Sequence, residues 1–254
     1  MKRGLKLWSL NTENYLPEAL RLYEQGVFEY IELYVVPGSL DTLPKWQSVK
    51  IPFIVHCPHS FHGFSLAQAE KAETNRAIYQ EVKKFADALA APYIIFHGGI
   101  DGNIQETARQ LKSFNEPRAL IENKPFVAIP NKMGGELCRG FNADEIKCVM
   151  DFTGCGFCFD FGHAICAANS LGKEPYAYID DFFALKPDMY HLTDAEDITS
   201  VYDIHTHLGR GQIDLVRLLK KIPNDSYITF ETDKDFKDSL KDFEEDMLWV
   251  GKVL

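Results

Sequence analysis

The sequence predicts a (β/α)8 barrel of the TIM type, one domain over residues 1–254, and three observations predict it. The length matches the roughly 250 residues such a barrel needs. Eight short apolar runs rich in Val, Ile, Phe and Tyr alternate with helical patterns, as in a parallel sheet covered on both faces. All eight histidines fall in short segments beside the ends of those runs, where a barrel gathers its catalytic side chains.

Taken in order, the first strand is expected at residues 4–9, followed by an amphipathic helix at 17–25 that starts on Pro17. The second strand, 30–35, leads into a short, poorly helical connection before the third, 53–56. Residues 68–90 then read as a long helix, because Ile78, Val82, Phe85 and Leu89 recur at helical spacing. Strands follow at 93–97, 119–123, 156–161, 189–192 and 227–231, with the last two helices at 215–219 and 236–250. The irregular stretches 125–141, rich in Gly and Pro, and 193–212, rich in Asp, Thr and His, both follow strands and so belong on the catalytic face.

Hydrophobic residues make up 46% and aromatics 13%, enough for a sizeable core. The first residues contain no apolar stretch of the signal-peptide kind, and no later run approaches a membrane span, so a soluble, cytoplasmic protein with no membrane partner is expected. Six cysteines in this length do not make a disulfide framework. Cys155-Gly-Phe-Cys158 has redox or zinc spacing but runs into a strand, and packing cysteines are expected there. A net charge of −10 disfavours nonspecific nucleic-acid binding, although divalent ions in the site would offset part of it.

The histidine segments are His56-Cys-Pro-His59-Ser-Phe-His62, Phe96-His97-Gly-Gly, Asp160-Phe-Gly-His163, Tyr190-His191-Leu-Thr-Asp194 and Asp203-Ile-His205-Thr-His207. Two further strands end on acids, Glu122 and Glu231. Imidazoles mixed with carboxylates suit zinc, manganese or iron better than calcium or magnesium. One four-coordinate ion needs three protein ligands and a water, so a set this large implies two or three ions, Zn2+ with Mn2+ as the alternative. Singly, each such residue is more often a hydrogen-bonded core or loop group. Jointly, they describe a multinuclear site, which can clamp both oxygens of a phosphoryl displacement.

These residues resemble the endonuclease IV and xylose isomerase-like barrel superfamily. Its sugar isomerases and epimerases hold one ion with Glu, Asp, His and Glu, positions matched by Glu122, Asp160, His191 and Glu231. Endonuclease IV adds five ligands for three zincs, and the resemblance implies His56, His97, His163, Asp203 and His205 for them. It covers the third strand to the eighth, and the Asp-x-x-His and Asp-x-His-x-x-Leu-Gly elements are its most specific parts. His59 could stand in for His56; His56 is preferred because it sits on the strand terminus. The first two strands lack anything like the basic, aromatic DNA-bending loop of endonuclease IV.

Arg210, flanked by glycines, Lys124 and His59 are candidate substrate contacts, each with a plain alternative as a solvated or loop group; Pro125 could turn Lys124 away. His62 and His207 are spare imidazoles beside the mouth. The leading expectation is a phosphoester hydrolase in which Glu122 and Glu231 bridge or anchor ions. The alternative is a sugar or sugar-phosphate isomerase or epimerase in which they move protons at carbon. Damaged DNA, a small phosphorylated molecule or a sugar is the expected partner.

Overall fold

The computed structural model describes residues 1–253 as eight parallel strands closed into a barrel and surrounded by helices. The strands are β1 (Lys2–Trp8), β2 (Tyr30–Tyr34), β3 (Phe53–His56), β4 (Ile94–His97), β5 (Ala119–Glu122), β6 (Gly156–Asp160), β7 (Met189–Leu192) and β8 (Tyr227–Phe230), and β8 closes on β1. Every predicted strand is present, with ends shifted by two residues at most.

The helices depart more. α1 (Thr12–Glu24) begins before Pro17, which sits inside it and forgoes one backbone bond. Burial of Thr12 and Tyr15, and a 2.5 Å bond from the Tyr15 hydroxyl to the Phe236 carbonyl, hold that first turn. The connection after β2 contains only the short α2 (Leu43–Gln47). α3 (Ala72–Ala88) is shorter than expected because residues 69–71 form a separate 3-10 turn and Ala90 takes a left-handed conformation. α4 (Ile104–Phe114) and α5 (Ala143–Thr153) are each capped by an asparagine side chain accepting a backbone N–H at 2.8 Å. Two helices, α6 (Phe161–Ser170) and α7 (Pro175–Phe183), follow β6. α8 (Leu215–Leu219) lies where expected, whereas α9 (Lys241–Val253) starts five residues late and leaves 231–240 as a loop over the mouth. Among the described residues, no helix is long and apolar enough to cross a membrane.

The large hydrophobic core lies between the strands and the helices. A second, smaller core fills the barrel itself: Tyr30, Ile54, Ile95, Leu120, Cys158 and Met189 are all buried there. Gly4 belongs to the same level, and a Cβ at that position would overlap the Tyr30 ring. The period of two along a strand then points the next inward positions at the mouth.

Candidate metal centre

Two residues beyond the apolar layer, the same strands present Glu32, His56, His97, Glu122, Asp160 and His191, all buried. Register sets neighbours: His97 pairs with Glu122 across β4 and β5, and Asp160 with His191 across β6 and β7. Glu231 follows β8 directly, and the loop after β7 brings in Asp203 and His205.

Glu122 is the hub. Its Oε2 lies 3.0 Å from His97 Nε2 and 3.2 Å from His56 Nε2, and its Oε1 lies 3.1 Å from His163 Nδ1. His56 and His97 meet at 2.9 Å through their Nε2 atoms. On one side, His191 Nδ1 is 2.9 Å from Glu231. On the other, Asp203 Oδ2 sits 3.1 Å from both His163 Nε2 and His205 Nε2. The structure thus brings all nine sequence-derived candidates to one mouth.

Local folding explains the Asp-x-x-His spacing. Asp160 ends β6 and caps α6, its carboxylate accepting the His163 N–H at 2.7 Å, so His163 is carried on the first helical turn. Asn123 grips the Asp160 backbone from β5, donating to its carbonyl and accepting from its N–H, both at 2.8 Å.

Sequence reasoning missed two members. Lys6 and Glu32 face each other across β1 and β2, with Nζ 2.5 Å from Glu32 Oε1 and 2.7 Å from Glu231 Oε1, and Lys6 also touches His56 Nδ1. Glu32 holds two imidazoles at once: Oε1 is 2.7 Å from His56 Nδ1 and Oε2 is 2.7 Å from His191 Nε2. Thr229 donates to the same Oε2 at 2.6 Å and contacts the Tyr30 hydroxyl at 2.8 Å. The available signal was a charge inside each apolar run, Leu5-Lys6-Leu7 and Ile31-Glu32-Leu33, since unpaired charges are almost never fully buried.

The remaining candidates divide. His59 lines the cavity, and its backbone N–H donates to the Tyr34 hydroxyl. Lys124 is buried with Nζ 3.0 Å from His163 Nε2, so Pro125 does not turn it away. Arg210 is not brought to the mouth. Its side chain is 56% exposed and pairs with Glu245 of α9 at 3.0 Å, because the glycine-flanked turn carries it outward. His62 is bound by Tyr34 at 2.8 Å, and His207 packs away from the mouth against Asp246.

Electrostatics prepare the carboxylates. Burial alone would favour their neutral forms, but neighbouring imidazoles and lysines outweigh it at three of them: His191 and Lys6 hold Glu32 well below the usual range, His97 and Lys124 hold Glu122, and Lys6 and His191 hold Glu231, whereas burial keeps Asp160 above its ordinary value. Burial, then Lys124, pushes His97 down and His59 down to about 3, leaving neutral donors. His163 goes the other way: burial opposes its charge, yet Asp160 raises it to about 10, as Asp203 raises His205 to about 9.

Donor chemistry and geometry both fit divalent metal. Buried Glu122 Oε2, His97 Nδ1 and His191 Nδ1 make no hydrogen bond, although each is a strong polar group. Ligand atoms of Glu32, His56, His191 and Glu231, of His56, His97 and Glu122, and of Glu122, Asp160 and His163 all fall within 4.8 Å in each group. The cavity above them, of about 420 Å3, is lined by Lys6, Trp8, Tyr34, His59, Lys124 and Lys234 among others.

Comparison with known proteins gives a consistent picture. The family described as xylose isomerase-like TIM barrel matches residues 45–253. Probable endonuclease 4 of Mycobacterium tuberculosis (strain ATCC 25177 / H37Ra) is 27% identical over 184 residues, 70% of this chain and 71% of that protein. A D-tagatose 3-epimerase-like protein superposes with a TM-score of 0.72 at 16% identity, covering 100% of this chain and 97% of its own. Endonuclease IV from Thermus thermophilus superposes with a TM-score of 0.68 at 18% identity, covering 99% of this chain and 100% of its own. At those identities the two structures establish the shared fold.

Proposed function

The chain belongs to the xylose isomerase-like TIM barrel family, and from that premise we propose that it is a metal-dependent phosphoester hydrolase of the endonuclease IV kind. One observation carries the reading. The one-ion set of Glu122, Asp160, His191 and Glu231 does not stand alone, because Glu122 also meets His56 and His97, and His163 leads on to Asp203 and His205. An isomerase needs only the first four. The likeness to mycobacterial proteins named probable endonuclease 4 supports the same choice.

In this reading His56, His97 and Glu122 would hold one ion, Glu122, Asp160, His191 and Glu231 a second, and His163, Asp203 and His205 a third. Bound there, zinc or manganese would supply a nucleophilic water at neutral pH and neutralise charge on a phosphoryl group. The protein's own part is positional. Glu122 would serve the ligand groups on either side of it, and Glu32 orients His56 and His191 from behind. Lys124, buried and charged beside His163 on the cavity wall, would offer a cation to a phosphate oxygen. The acidic chain favours a small phosphoester or a single damaged nucleotide over extended duplex contacts.

A second reading has its own support. Lys6 beside Glu231, at the edge of the cavity, gives a cation and a carboxylate suited to proton transfer on a sugar, and a D-tagatose 3-epimerase-like protein shares the fold. A side-by-side assay decides. Protein purified without chelators is given an abasic-site duplex, small phosphomonoesters and phosphodiesters, and a panel of ketoses and sugar phosphates, each with zinc or manganese. Cleavage of any phosphoester supports the hydrolase. Turnover of ketoses with every phosphoester intact overturns it.

A further inference from the structure

We infer that a second, separate divalent-cation site lies at the edge of the catalytic face, built by His207, Asp235 and Asp242 and oriented by Asp246. His207 belongs to the loop after β7, whereas Asp235 lies in the loop after β8 and Asp242 and Asp246 lie one turn apart on α9. One ligand atom from each of His207, Asp235 and Asp242 falls within 4.8 Å of the others.

The histidine is what raises this cluster above a group of acids. Its side chain is 7% exposed, and its Nδ1 lies 3.1 Å from Asp246 Oδ2. Asp246 is itself anchored, because its Oδ1 accepts the Leu208 N–H at 2.9 Å. A carboxylate on Nδ1 fixes the tautomer with the proton there and leaves a lone pair on Nε2, which is how carboxylates commonly prepare metal-binding imidazoles. That Nε2 is buried and has no hydrogen-bond partner. It lies 3.3 Å from Asp235 Oδ2 without the alignment of a hydrogen bond. Two ligands of a tetrahedral zinc at about 2.0–2.1 Å stand roughly 3.3 Å apart, a spacing this pair matches.

Asp242 completes the set while bracing the loop, its Oδ2 accepting the Asp235 N–H at 2.6 Å. The nearby ammonium of Lys234 donates to the Thr232 carbonyl at 2.6 Å. Asp235 is 54% exposed, which gives an ion a path from solvent. One imidazole and two carboxylates, with water as the fourth ligand, suit zinc, cobalt or manganese. An ion there would fasten the loop carrying Asp203 and His205 to α9.

The test is metal counting by mass spectrometry after dialysis of the full chain against buffered zinc, with thermal unfolding measured in parallel. Asp235→Asn, an exposed substitution, decides the matter even if buried His207→Ala disturbs folding. Expected are one zinc fewer per chain than wild type for each variant and a smaller zinc-dependent rise in Tm. The double variant His205→Ala/Asp235→Asn loses more zinc than either single variant. If Asp235→Asn and folded His207→Ala bind as many ions as wild type, the proposal is overturned, and His207 is an imidazolium held between Asp235 and Asp246. Because the comparison is a difference from wild type, it stands whatever the number of ions in the main centre.

Discussion

Inside the barrel, Tyr30, Ile54, Ile95, Leu120, Cys158 and Met189 form an apolar layer, and Glu32, His56, His97, Glu122, Asp160 and His191, each two positions further along the same strands, form a polar one. Both layers are buried, both are set by the same register, and they share a backbone. The first is held by packing, where the cost of change is a cavity. The second is held by mutual charge and hydrogen bonding, where the cost of change is an uncompensated ion. The pleat lets one strand serve both, because inward positions recur every second residue. Stability and chemistry therefore sit a few ångströms apart and can be altered separately.

The sharpest way to break that separation is Glu122→Gln. Losing a carboxylate proposed to serve two ion positions should remove zinc from both and lower turnover beyond the roughly 10–100-fold that outer-shell partners cost. Metal counting with a turnover assay checks it, and retention of full metal would show that Glu122 is not a hub. One layer down, Leu120→Ala should cost about 2–5 kcal/mol of stability and leave the zinc count unchanged. Urea unfolding alongside metal analysis tests this, and a lost ion would mean the layers are coupled. Glu32→Gln probes the boundary, since it keeps the volume but takes away the charge that aligns His56 and His191. Zinc affinity should fall about 10–100-fold with little change in substrate KM once metal saturates.

The smallest effect concerns pH. His163 and His205 keep protons to about 10 and about 9 without metal, so an ion at their position must displace them. Zinc affinity there should rise as pH increases toward that range, with proton release on binding, and weaken below it. In metal-free protein the same raised pKa values stabilise the fold fully below 6.5, and that contribution is lost as pH climbs through about 9 to 10. Calorimetry in buffers of different ionisation enthalpy measures the release, and its absence would place the protons elsewhere.

The barrel was legible because buried parallel strands read as continuous apolar runs, as at residues 53–56 and 189–192, where the expected and observed ends agree. His56, His97, Glu122 and Asp160 were legible because they terminate those runs, and Glu231 because it follows one directly. Lys6 and Glu32 were not, since each stands within a run and a lone charge there reads as a solvent-facing position until the register pairs them. Arg210 misled for the opposite reason. Glycines on both sides suggested a substrate contact, but only the position of Glu245 on α9, distant in sequence, decides where the guanidinium goes. The start of α1 before Pro17 depended similarly on a tertiary bond, from Tyr15 to Phe236.

Asn123 bears a consequence for anyone who would rebuild this mouth elsewhere. The ladder between β5 and β6 ends at Glu122 opposite Cys158, and the Asn123 amide, giving one hydrogen bond and taking one, adds a rung in the manner of a peptide group. It acts as a spacer gauge, holding two ligand-bearing strand ends at a fixed separation after the strands themselves have stopped. An aspartate has the same outline but no donor, and a serine has the donor but not the reach. A designer who transplanted the histidines and acids onto another barrel and left out this neutral residue would carry over the donor atoms without the ruler that spaces them.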